Sequence, residues 1–136
     1  MVTVTDGMVA DYQREGVVLV RGLMADWVAM LRAGVARNMA APGQPMPTLK
    51  PGEAGRFFDD YCNWSRIPEF AAVIRQSPAA EVAGRLMGSG RVQLFHDHVL
   101  VKEPGTAKPT PWHTDGPYYF VEGRQVVSFW VPLDPV

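Results

Sequence analysis

Up to residue 90 the apolar positions recur mostly at helical spacing. From residue 91 onwards they gather in short β-rich runs. Thr5 or Asp6 can cap a short helix reaching about Arg14, with Met8, Val9 and Tyr12 on one face and Gly16 ending it. Val17-Val18-Leu19-Val20 is apolar and mainly β-branched, which predicts a buried strand, and Gly22 then turns the chain. Leu23, Trp27, Leu31 and Val35 follow at helical spacing beside Met30 and Gly34, predicting an amphipathic helix from about Asp26 to Met39. Residues 41–55 read as a loop, with Pro42, Gly43, Pro45, Pro47, Pro51, Gly52 and Gly55. A helix is expected after Ile67-Pro68, with Phe70, Val73 and Ile74 inward. Ser77-Pro78 starts another, which runs to about Met87 and ends at Gly88-Ser89-Gly90. Arg91 to Glu103 is strand-like through Val92, Leu94, Phe95, Val99, Leu100 and Val101. Pro104 to Pro111 is a loop, and Gln125 to Leu133 is a second strand ended by Pro132 and Pro135. Helices followed by strands predict an α+β domain over 1–136, helical through residue 90 and strand-rich from 91, with the helices flanking a sheet.

Composition narrows the class of partner. A chain of 136 residues is the size of one domain, and 13 basic against 14 acidic residues leave a net charge of −1. No electrostatic footprint for nucleic acid or a membrane surface is present. Cys62 stands alone, which excludes an intramolecular disulfide and suits a reducing compartment. Met1 to Met8 lacks a secretory pattern, and no apolar run approaches the ~20 residues of a membrane span. The expected location is cytoplasmic. Serine-triad, phosphate-loop and cysteine-cluster patterns are missing, so hydrolase, nucleotide-binding and zinc-finger readings have no support.

The candidate chemistry lies in two short motifs. In His113-Thr114-Asp115, residues two apart share a face when the segment is extended, so one imidazole nitrogen and one carboxylate oxygen can reach the same metal. With one more histidine they would form the 2-His-1-carboxylate triad of non-haem Fe(II) oxygenases. The alternative is local hydrogen bonding in the turn before Gly116-Pro117. In His96-Asp97-His98 the two histidines share a face with Leu100 and Lys102, while Phe95, Asp97, Val99 and Val101 share the other. With Glu103, His96 and His98 imitate the first motif of a cupin metal site; otherwise they line a pocket or sit satisfied in the core. Lys102 at a cavity rim would suit a carboxylate ligand, and a solvated strand-end lysine is the plainer alternative.

Leu94 to Thr106, Thr110 to Tyr119 and Gln125 to Asp134 resemble, in order, bacterial members of the phytanoyl-CoA dioxygenase family. Gly16 to Leu23 is similar to that family's opening strand, and Gly55 to Trp64 to a segment of one bacterial branch. The resemblance implies an Fe(II)- and 2-oxoglutarate-dependent dioxygenase that uses O₂ to hydroxylate a small organic substrate. It implies iron on His113 and Asp115, and 2-oxoglutarate beside His98 and Trp130. Lys102 matches a recurring lysine near that cosubstrate. Because Asp115 is present, the implied reaction is hydroxylation rather than halogenation. The implied fold is a double-stranded β-helix, a cupin-like jelly roll with helices outside.

The family's third ligand is a histidine well beyond the Trp130 strand, followed by an arginine for the far carboxylate of 2-oxoglutarate. No histidine follows His113 here, so the expectation is an N-terminal portion of the jelly roll, truncated before both residues. Such a portion would expose strand edges and self-associate through them. Two alternatives stay open: a catalytically inactive fragment of the family, and a cupin-type module using His96, His98 and Glu103. The 41–55 loop with Tyr118, Tyr119 and Phe120 is expected at the substrate mouth, unless those aromatics are core.

Overall fold

The computed structural model describes residues 3–46, 52, 54–107 and 109–136. Helix α1 (Asp6–Glu15) starts where the Thr5 hydroxyl accepts the Met8 N–H at 3.2 Å, and it ends at Gly16, whose φ of 77° only a residue without Cβ adopts freely. A 3-10 turn at Ala25–Trp27 leads into α2 (Val28–Ala40). Strand β1 (Phe57–Tyr61) is followed by α3 (Pro68–Gln76) and α4 (Ala79–Met87). Pro68 occupies the first turn of α3, where its missing N–H costs nothing. Strand β2 (His98–Lys102) comes next, and a 3-10 turn at Gly116–Tyr118 lies after the His113 motif. The described residues are thus α+β, with four α-helices and a two-stranded antiparallel sheet.

The β1–β2 register pairs Phe57 with Lys102, Asp59 with Leu100 and Tyr61 with His98. Phe58 and Val99 are buried on one face of this ribbon, against Ile67, Phe70, Leu31, Val35 and Met39 of the helical side. Phe57, Asp59, Tyr61, His98, Leu100 and Lys102 share the opposite face. A second core joins Val4, Val82 and Leu86 to Met8, Val9, Tyr12, Val18 and Val20. Among the described residues, no helix is long and apolar enough to cross a membrane.

The helices stand where spacing and caps predict them, within a residue or two. The strands differ. Residues 17–20 form no ladder: Val18 and Val20 pack into the second core, while Val17 and Leu19 are 71% and 64% exposed. The stretch is half-buried rather than buried, because it lies over α1 and α4 with one side only. Residues 125–133 also lack a ladder, since side chains hold this segment instead. The Tyr12 hydroxyl donates to the Val126 carbonyl at 3.3 Å, Gln125 Nε2 donates to the Met87 carbonyl at 3.1 Å, and Arg32 Nε donates to the Leu133 carbonyl at 3.0 Å. Within 91–103 the ladder is limited to 98–102. The division into a helical part through 90 and a strand-rich part from 91 is corrected accordingly, because β1 belongs to the first part. The two adjacent aspartates of Phe57-Phe58-Asp59-Asp60-Tyr61 hide that strand from a reading of apolar runs.

Asp60 explains why a carboxylate can sit in that strand. It is wholly buried, and it accepts hydrogen bonds from Asn38 Nδ2 at 2.7 Å, the Gly43 N–H at 2.7 Å and its neighbour's N–H, Tyr61, at 3.0 Å. Burial alone would push this carboxyl up. The donors Gly43, Asn38, Asn63 and Tyr61 outweigh it and hold the group below its ordinary range. The network ties α2, β1 and the start of the 41–55 loop together. Residues 47–51 and 53 of that loop lie outside the described residues.

Candidate functional site

His113 and Asp115 come after the 104–111 loop and just before the Gly116–Tyr118 turn. His113 Nδ1 lies 2.8 Å from the Pro111 carbonyl. A carbonyl only accepts, so Nδ1 donates this bond. Nε2 lies on the Asp115 side, with Nε2 and Oδ1 3.4 Å apart. Two donors at right angles on one metal, each bonded at about 2.1 Å, would stand about 3 Å apart. The other oxygen of Asp115, Oδ2, accepts from the Tyr119 hydroxyl at 3.2 Å and from Ser128 Oγ at 3.4 Å. Tyr119 Oη and Ser128 Oγ also lie 3.1 Å apart, and with one proton each the two hydroxyls can make two of these three bonds at a time. One carboxylate oxygen is therefore anchored and one is presented, the arrangement by which outer partners orient a metal ligand.

Tyr119 links this pair to the ribbon. Its ring meets Phe95 edge-on at 5.2 Å and His96 at 5.6 Å, and His96 lies 6.1 Å from His98. The His98 ring sits edge-on to Tyr61 at 5.8 Å, and its Nε2 is 2.6 Å from Asp59 Oδ1. Asp97, between the two histidines, points the other way. It accepts the N–H groups of Asn63 at 3.1 Å and Trp64 at 2.9 Å, pinning the turn after β1 in which Cys62 takes a positive φ of 62°.

The residues expected to flank a cosubstrate separate here. His98 joins the His96–Tyr119 cluster, whereas Lys102 lies at the far end of β2 with its ammonium 5.4 Å over the Phe57 ring. Trp130 is 79% exposed and is not brought into the cluster. Glu103 does not join His96 and His98. It follows the opposite parity and is committed to Arg56, whose guanidinium reaches it at 2.8 Å and holds its carboxyl below the ordinary range. The cupin-type trio is corrected on that ground. Among the described residues, no group of three His, Cys, Asp or Glu side chains is placed to hold a metal ion. Asp59 and Ser128 were not singled out by sequence. Alternation in Phe57-Asp59-Tyr61 is a signal for the first, and nothing local marks the second.

An imidazole and a carboxylate presented side by side, each fixed by an outer partner, have the donor chemistry of a non-haem metal site. The sequence model of the family described as phytanoyl-CoA dioxygenase matches residues 12–136, and the chain belongs to that family. Neither the curated proteins nor the solved structures give a match.

Proposed function

We propose that this chain belongs to an Fe(II)- and 2-oxoglutarate-dependent oxygenase that hydroxylates a small organic substrate, with His113 and Asp115 as two of the iron ligands. The observation that carries the reading is the pair itself. Nε2 of His113 and Oδ1 of Asp115 lie 3.4 Å apart, and their other polar atoms are occupied by Pro111 and Tyr119. Family membership supports the same chemistry. Bound together, such a metal and 2-oxoglutarate supply the chemistry that puts one oxygen atom of O₂ into a C–H bond while the cosubstrate leaves as succinate and CO₂. The chain's own residues orient the ligands, and of the three residues expected beside the cosubstrate His98 is the one on the Tyr119 side of the ribbon. The 41–55 loop with Tyr118, Tyr119 and Phe120 borders the substrate. In this reading residues 1–136 are one domain, and the β1–β2 ribbon is part of a double-stranded β-helix with its histidine face inward and α2 and α3 outside. Uncovered, that face and the ribbon edges favour self-association.

The test is an anaerobic Fe(II) titration of the full chain, followed by 2-oxoglutarate and an assay for succinate. His113→Ala and Asp115→Ala should each weaken iron at least about 10-fold, with His96→Ala close to the parent. Iron affinity indifferent to both changes would refute the assignment. A second reading, a family member without turnover, is favoured by the lack of a third converging donor among the described residues. It predicts no succinate release even where iron binds.

A further inference from the structure

Arg56 and Glu103 lie just outside the ribbon, where two long connections meet it. Residues 41–55 lead into β1, and residues 104–111 lead from β2 towards His113. The two connections are clasped together at this end. The Arg56 carbonyl accepts the Glu103 N–H at 2.9 Å, which carries the ladder one pair beyond the strands. Glu103 Oε2 accepts the Arg56 N–H at 2.9 Å, Oε1 accepts from Nη2 of the guanidinium at 2.8 Å, and Nε lies 3.2 Å from both oxygens. The backbones also interlock. A Cβ on Gly55 would stand 2.5 Å from the Pro104 carbonyl oxygen and 2.9 Å from Thr106 N. A Cβ on Gly105, whose φ is 86°, would stand 2.8 Å from Ala54 Cβ. Glycine permits both approaches. A lone surface ion pair contributes little, but this one is multidentate and Glu103 also holds a backbone donor.

We propose that Arg56 and Glu103 are positioning residues for the His113–Asp115 pair, a reading that rests on the iron assignment above. The 103–106 turn is closed by the Thr106 N–H, which donates to the Glu103 carbonyl at 3.1 Å. The point where the chain leaves the ribbon is thereby fixed. Pro109 and Pro111 then fix φ at two positions on the way to His113, and His113 Nδ1 bonds back to the Pro111 carbonyl. An anchor at Glu103 is therefore carried to the donor pair by a stiff link. The same anchor holds residues 54–56, the exit of the 41–55 loop, whose entry is tied at Gly43 to Asp60. The loop that borders the substrate and the segment that bears the iron ligands thus share one fastening. A shift of either reaches the other through Arg56 and Glu103. Glu103 supports the metal from outside the donor set, not as a ligand.

The experiment compares the full chain with Glu103→Gln, Glu103→Ala and the charge swap Arg56→Glu with Glu103→Arg, which restores an ion pair. Hydrogen exchange on the metal-free chain reads the clasp. The amides of Arg56 and Thr106 should exchange at least about 10-fold faster in Glu103→Ala, with those of α1 and α3 unchanged. Co(II), standing in for Fe(II), reads the site. Its affinity should fall about 5-fold in Glu103→Ala and less in Glu103→Gln, its visible absorption should change, and the charge swap should recover part of both. Faster exchange with the cobalt affinity and spectrum of the parent makes the pair merely structural; that result overturns the proposal and spares the iron site. Unchanged exchange in both single variants overturns the clasp itself. Glu103→Gln keeps the shape of the side chain, so the test stands even where Glu103→Ala unfolds. Cobalt affinity that is indifferent to His113→Ala removes the iron reading and this inference with it.

Discussion

Replacing Asp60 separates the fold from the site, and the structure sets the size of the effect. Asp60→Ala removes an acceptor shared by Asn38 Nδ2, the Gly43 N–H and the Tyr61 N–H. A hydrogen bond to a charged group contributes about 1.5–3 kcal/mol, and each buried donor left without a partner costs about 1–3 kcal/mol. Of the three contacts only the one from Asn38 is fully buried, so the main loss is there. The Arg66 guanidinium, 3.7 Å away, also loses its counter-charge. The expected destabilisation is about 3–5 kcal/mol, a large part of the ~5–15 kcal/mol available to a domain. Asp60→Asn should cost less, because one oxygen still accepts while the amide faces donors. Urea unfolding at neutral pH reads both. The pH dependence makes a sharper test. The folded carboxyl is held below its ordinary range, where burial is outweighed by the Gly43, Asn38, Asn63 and Tyr61 donors. In acid the unfolded chain therefore binds the proton first, and stability rises with pH through that window. The contribution is complete above the unfolded value of about 4 and is lost as pH falls through the folded one. The gap between parent and Asp60→Asn should close as pH drops below about 4. A gap that stays constant into acid, or an Asp60→Ala cost under about 1 kcal/mol, would refute the reasoning.

Two further outcomes follow from packing and from the donor pair. A Cβ placed on Gly34 of α2 would fall 2.7 Å from Phe70 Cδ1 and 3.2 Å from Glu69 Cβ of α3, so Gly34→Val should destabilise by about 1–3 kcal/mol; an unchanged urea midpoint would show that the helices part freely. Tyr119→Phe removes the hydroxyl that anchors Asp115 Oδ2, and metal affinity should fall about 10-fold with the thermal midpoint little changed; equal affinity in a metal titration would mean that Asp115 needs no such anchor.

Sequence legibility tracks how local each feature is. Helix α1 is bounded by Thr5 and Gly16, and α4 ends at Gly88, residues whose effect acts within one turn. Strands depend on a partner far away in the chain. Val17–Val20 has the composition of a strand and lacks a ladder, whereas Phe57–Tyr61 contains two aspartates and forms one. The adjacency of His113 and Asp115 is readable because a spacing of two is enough to predict it. The Asp59–His98 contact is not, since it requires the β1–β2 register. Trp130 and Lys102 mark the same boundary. Their place relative to His98 is a tertiary fact, and the described fold leaves both away from the His96–Tyr119 cluster.

Period-two alternation assigns opposite work to neighbouring residues, and the site depends on that division. In Asp59-Asp60 one carboxylate meets a histidine on the open face and the next binds the core. In His96-Asp97-His98 the histidines face Tyr119 and Asp59, while Asp97 turns back to hold Asn63 and Trp64. Each of these open-face side chains thus has an immediate neighbour whose hydrogen bonds fix the strand that presents it. A one-residue slip of β1 against β2 would exchange these roles, bringing Asp60 to the open face and Asp59 into the core without donors. Asp60 and Asp97 therefore act on the chemistry through register. Their substitution should disturb unfolding and ligand affinity together.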